Sequence, residues 1–149
     1  MKLFRGSPTK SLEFEIAVPE GIGVHRDVPG QDLVLAIGEL GNPTSTLITV
    51  GAVRDGEPVT RDEHVRRVRA NLERDFHPHL VDEAPVPIAG HESWWTIDAI
   101  VVGGRSLVLE SWMLVRDGVG WTVTTRMAWA GLHQLRESAI NLVSTFHFK

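Results

Sequence analysis

Between Trp94 and Met127 three strand-like runs are separated by two of the shortest turns a chain can make, and this stretch constrains the fold more than any other. Gly103-Gly104 and Asp117-Gly118 are two-residue hairpin signals, because each pair can supply the positive φ that primed turns require. Such turns set register. With Val102 opposite Arg105 and Arg116 opposite Val119, every side chain of the meander is assigned to one face or the other. One face carries Trp95, Ile97, Ala99, Val101, Val108, Trp112, Leu114, Trp121, Val123 and Met127, interrupted mainly by Glu110, and reads as a core face. The other carries Trp94, Thr96, Asp98, Ile100, Leu107, Leu109, Ser111, Met113, Thr122, Thr124 and Arg126. That mixture is neither fully apolar nor fully solvated, and it predicts an open surface that meets something.

The rest of the chain has the size of one ordinary domain. At 149 residues, folding removes roughly 70% of the unfolded surface from water, so no covalent staple is needed. The chain has no cysteine, which leaves no disulfide, thiolate metal site, thiol nucleophile or lipidation point. Its opening residues, MKLFRGSPTK, lack the apolar core of a secretory signal, and no run reaches the ~18 apolar residues of a membrane span. A cytoplasmic protein without membrane association is expected. The formal charge of −4 argues against a nucleic-acid partner, which calls for a basic stripe.

Along the chain, residues 1–11 are expected to be disordered or extended, and a single domain to span 12–149. Leu12, Phe14, Ile16 and Val18 alternate with polar or small residues in a strand closed by Pro19. Gly21 to Gly30 reads as a loop. Residues 31–40 and 46–53 read as two further strands joined through Gly41-Asn42-Pro43, and the three predict a first meander. Thr60 with Glu63 forms a capping box opening a helix over 60–75, with Val65, Val68, Leu72 and Phe76 on one stripe and Pro78 as its stop. Pro85 and Pro87 exclude a central strand from 79–88 and predict an edge strand. After the meander, a closing helix from Leu132 to Val143 is expected, followed by a tail that ends the helix or adds a short strand. The architecture is α+β, a mostly antiparallel sheet with two helices covering its apolar face.

Candidate chemistry is sparse. Arg61, Arg66, Arg67, Arg69 and Arg74 crowd the first helix, but Asp62 and Glu63 precede Arg66 and Arg67 by four residues, the spacing of surface ion pairs. His77 and His79 are close enough to share a metal, yet no third ligand is nominated and no metal site is assigned. His25, His64, His133 and His147 read as surface or capping residues. No serine elbow, activated lysine, phosphate cradle or paired carboxylates is present, so neither catalytic residues nor a cofactor are assigned. Glu110 and Asp98 point to opposite faces; Glu110 therefore lies at the core rim or takes a partner such as a helix arginine. Asp98 and Arg126 flank Leu109 on the open face, within reach of one another. Trp94, Thr96, Asp98, Met113, Thr124 and Arg126 form the candidate partner-binding surface, since Trp and Arg concentrate at interface hot spots and Met adapts to many contacts.

The opening strand ending in Val18-Pro19, the paired strands, the capped helix, Pro87-Ile88-Ala89-Gly90 before the long meander, and the closing helix with Ser144-Thr145-Phe146 together resemble the PsbP-like superfamily. DcrB-like and LpqN-like bacterial proteins are the members nearest in length and pattern. The resemblance covers residues 12–148 and carries no catalytic motif. It implies a curved, mostly antiparallel sheet of six or seven strands in an α/β/α sandwich, used as a non-catalytic scaffold. Members include a photosystem assembly subunit, a Ran-binding import factor, lipoproteins, and the Eag chaperones that shield hydrophobic segments of secretion effectors. No functional residue is carried over, and without a transit peptide or lipidation cysteine neither are the photosynthetic and lipoprotein roles.

Two functions follow as expectations: a protein-binding adaptor or chaperone for a hydrophobic segment, or a small-molecule binder or hydrolase with a pocket between sheet and helices. A homodimer through the open face is a third arrangement.

Overall fold

The structure is a computed structural model describing residues 2–6 and 11–149, and side chains from residue 13 onward. The central sheet begins at its middle, with the meander: β7 (Trp94–Val102), β8 (Arg105–Arg116) and β9 (Val119–Ala128). Both turns have positive φ at both central residues, Gly103 and Gly104, then Asp117 and Gly118. These are the primed turns that match strand twist. The register pairs Val102 with Arg105 and Arg116 with Val119, as the turns predict.

Four further strands divide between the two flanks of the meander. β4 (Leu33–Ile37) and β5 (Thr46–Val53) add on the β9 side, and β6 (His79–Pro85) forms the far edge beside β7. A three-residue strand, β3 (Gly23–His25), closes the near edge within the stretch that reads as a loop in sequence. The order is β3-β4-β5-β9-β8-β7-β6, with every pairing antiparallel.

The expected first meander is corrected. β2 (Ser11–Val18) does not join residues 31–40; it pairs with β1 (Lys2–Gly6) and with β10 (His147–Phe148) in a separate three-stranded sheet. Alternation identifies a strand but not its neighbour, and here the chain's tail supplies the neighbour. Residues 2–6 thus make a strand, while residues 1 and 7–10 of the same stretch lie outside the described residues.

α1 (Arg61–Phe76) starts at Thr60, whose hydroxyl accepts the Glu63 N–H at 3.2 Å and in turn donates to the Glu63 carboxylate at 3.1 Å. It ends at His77, in the left-handed region with φ 48°, just before Pro78. α2 (Leu132–Val143) follows a single 3-10 turn, Trp129–Gly131. The helices do not share one face. α1 lies over β7 and β8 on the mixed face, where Arg69 meets Asp98, and α2 lies on the apolar face, where Arg136 meets Glu110. The result is an α/β/α sandwich.

The principal core lies on the α2 side. Leu33, Leu35, Ile48, Val50, Trp112, Leu114, Trp121 and Val123 of the large sheet meet Phe14 and Ile16 of β2, Ala139, Leu142 and Val143 of α2, and Phe146. Trp121 is held edge-on by Phe14 at 5.8 Å and Phe148 at 5.1 Å, geometry the ring quadrupoles favour.

Candidate functional site

The mixed face of the meander is covered. Thr96 and Asp98 are 1% exposed and Met113 is fully buried, because α1 lies across them. The expectation of an open surface is corrected on this point, and its physical reason is the apolar stripe of α1: Val65, Val68 and Leu72 need a surface, and this is the one they take. Trp94, Thr124 and Arg126 remain half-buried at the margins. The Trp94 indole N–H donates to Glu83 at 3.0 Å, and the Thr124 and Ser111 hydroxyls share a bond of 3.1 Å.

Asp98 and Arg126 do not pair. Asp98 receives two hydrogen bonds from Arg69, at 2.6 and 2.8 Å, a bidentate fork that raises the Arg69 pKa from its ordinary value, against the opposing effect of burial. Arg126 instead turns to the loop between β4 and β5, donating to the carbonyls of Asn42 (3.2 Å) and Ser45 (3.1 Å). Burial alone lowers its pKa. The surface-pair expectation for Arg66 and Arg67 is corrected too: among the described residues Asp62 lies against Arg61 instead, at 3.9 Å.

A matching fork occupies the other face. Glu110, 1% exposed, accepts from Arg136 Nε and, at 3.2 Å, from Arg136 Nη2, and its Oε2 also receives the Trp95 indole N–H at 3.0 Å. This is the helix-arginine partner that a carboxylate on an apolar face calls for. Since Asp98 stands opposite Leu109 and Glu110 opposite Ile97, the two buried carboxylates are neighbours in the sheet that face away from each other.

His64 is the third buried polar group of importance, and the reading of it as a surface or capping residue is corrected. It projects from the first turn of α1 onto β9, where Nε2 lies 3.0 Å from both the Trp121 carbonyl and the Thr122 hydroxyl. Gly120 makes room for it: a Cβ there would fall 2.7 Å from the imidazole Cγ and Cε1. Desolvation lowers the His64 pKa, and the positive charge of Arg67 adds to that.

The exposed apolar surface is elsewhere. Among the described residues, five of the nine exposed large hydrophobics, Phe76, Leu80, Val81, Val101 and Trp129, gather where α1 ends, β6 begins and the 3-10 turn leaves β9. Phe76, Val101 and Trp129 line a groove of about 440 Å³ together with His77, His79 and Ser106. Val101 is 64% and Trp129 57% exposed. The corner exists because β6 begins opposite Ala99, leaving the last residues of β7 without an outer neighbour. His77 and His79 therefore sit on the groove rim. No group of three or more metal-ligating side chains occurs among the described residues. The sequence signal for this corner was present in Trp129, which the core pattern leaves over, and in Phe76 at the end of the helix stripe. Val101 was hidden by its parity with core residues.

No family model matches the chain, and no curated protein matches it. Solved structures do. A Pseudomonas aeruginosa protein of unknown function, described as a putative regulator, superposes with a TM-score of 0.65 at 15% identity, covering 97% of this chain and 94% of its own. LpqN of Mycobacterium tuberculosis, involved in cell envelope biogenesis, gives 0.64 at 10% identity over 91% of this chain and 83% of its own. Cyanobacterial PsbP from Synechocystis gives 0.61 at 17% identity over 99% and 93%. The chain has the PsbP-like fold. The domain carries the α/β/α arrangement that its element order implies, and at these identities the likeness extends to the fold alone.

Proposed function

We propose that the protein is a non-catalytic protein-binding module, an adaptor or chaperone, that receives an apolar segment of a partner protein at the corner formed by Phe76, Val101 and Trp129. The observation that carries this reading is the concentration of exposed apolar side chains around one groove, since contiguous apolar surface on a small domain marks an interaction site. Strand addition along β6 is disfavoured. The Glu83 N–H is taken by the Asp82 carboxylate at 2.8 Å, Pro85 has no N–H, and the register shifts between Leu80 and Asp82, three devices that blunt a sheet edge. The partner is therefore held by its side chains in the groove.

The test is a double variant, V101D/W129A, which alters two exposed residues and leaves the core intact. A partner captured by the wild-type protein and then purified binds at least about tenfold more weakly to the folded variant, as expected for loss of an aromatic hot spot. Unchanged affinity contradicts the assignment. A second copy of this chain as the occupant would show as concentration-dependent sedimentation that the variant abolishes.

A further inference from the structure

We propose a second, independent site: the cleft between α2 and residues 86–88 binds a small apolar carboxylate, held at its charged end by Arg136. The cleft measures about 310 Å³ and is walled by Ile88, Trp95, Trp112, Ile140 and Val143, at the small end of the roughly 300–1,000 Å³ range of ligand cavities. Arg136, Ile140 and Val143 follow one another at helical spacing, so a single stripe of α2 supplies both its charge and much of its apolar wall. The Glu110–Arg136 fork and Ser144 are the polar groups that line this mainly apolar space.

The hydrogen-bond inventory sets the ligand's polarity. The two Glu110 oxygens already take three donors, from Trp95 Nε1 and from Arg136 Nε and Nη2. Arg136 Nη1 has no partner among the described residues. The Arg136 side chain is 41% exposed and so presents free N–H donors on a cation at the cleft mouth, and the group complementary to them is an anionic acceptor attached to an apolar body. The Asp98–Arg69 fork is the internal control. It is built from the same residue types in the same bidentate form, yet it lies under α1 and lines none of the grooves described above. A buried ion pair is a poor stability device compared with apolar packing. Placed in a cleft with tryptophan walls, it fits a recognition role.

The experiment titrates the full chain with octanoate, octanol and octylamine, following tryptophan fluorescence. Octanoate is expected to bind saturably and about tenfold or more tighter than either analogue, the factor a charge-assisted hydrogen bond supplies. Ile140→Trp, which fills the cleft, should abolish octanoate binding, and the double variant E110L/R136M should lose the preference for acid over alcohol. In the unaltered protein, amide shifts on adding octanoate should map to residues 86–88 and 140–144, a readout that stands whether or not the variants fold. Equal or tighter binding of octylamine or octanol, absence of saturable octanoate binding, shifts centred elsewhere, octanoate binding that survives in folded Ile140→Trp, or a preference retained by the double variant overturns the proposal.

Discussion

On one face of the large sheet, α2 and the small sheet bury Phe14, Ile16, Trp121, Leu142, Val143 and Phe146 in a continuous apolar cluster; on the other, α1 buries only one of its own residues, and that residue is His64. Each helix nevertheless makes one arginine fork to a buried carboxylate of the meander. On the α2 side every fully buried side chain is worth about 1.5–3 kcal/mol, and there are enough of them to hold the helix without its fork. On the α1 side Val65, Val68 and Leu72 are half-buried, so the Arg69 fork and the His64 contact supply position and much of the adhesion. The same ion pair is dispensable glue where apolar packing surrounds it and a structural pin where packing is thin.

Removing each arginine separately distinguishes the two forks. Arg69→Ala leaves Asp98 buried without its cation and should cost about 3 kcal/mol in urea denaturation, with amide protection lost first over residues 61–76. Arg136→Ala should cost less, about 1–2 kcal/mol, because Glu110 keeps the Trp95 bond and the cleft admits water. The reverse order would contradict the account. Gly120→Ala drives a Cβ into the His64 ring and should cost about 1–3 kcal/mol by overpacking. In combination with His64→Ala the two losses should fall short of additive, since both act on one contact.

The smallest effect is that of pH. Burial lowers the His64 pKa below its ordinary 6.5, so below 6.5 the unfolded chain takes up a proton that the folded one resists. The His64 contribution is therefore fully present above 6.5 and is lost as pH falls from there through the folded pKa. Denaturation midpoints on either side of 6.5 should show this slope in the wild type and less of it in His64→Gln. Equal slopes would remove His64 from the account.

The meander was legible to the residue because two-residue turns leave the register no freedom. Thr60, Glu63 and Pro78 marked α1, and the stripe from Leu132 to Val143 marked α2 with its bounds. Partnership was less legible. The alternation of β2 does not reveal that Phe14 pairs with Phe148 rather than with a residue of 31–40, and β3 is too short for any periodicity. The open face was misread because a half-apolar sheet surface and a half-apolar helix stripe look incomplete one at a time; only together do they account for each other. His64 was read as a surface or capping residue because side-chain type outweighed its position beside that stripe, and Arg69 was given no partner. Trp94, Thr96, Asp98, Met113, Thr124 and Arg126 share a face in sequence, but that α1 covers Thr96, Asp98 and Met113 is not legible there, and Phe76, Val101 and Trp129 converge from three elements that no short-range pattern connects.

Hydrogen exchange of the protein alone and bound to its captured, purified partner locates the binding surface. Protection on binding should appear at residues 76–81, 99–106 and 129, with residues 94–98, 111–113 and 122–126 unchanged beneath or beside α1. Protection confined to that second set would contradict the account and return the binding surface to the face of the sheet that α1 covers.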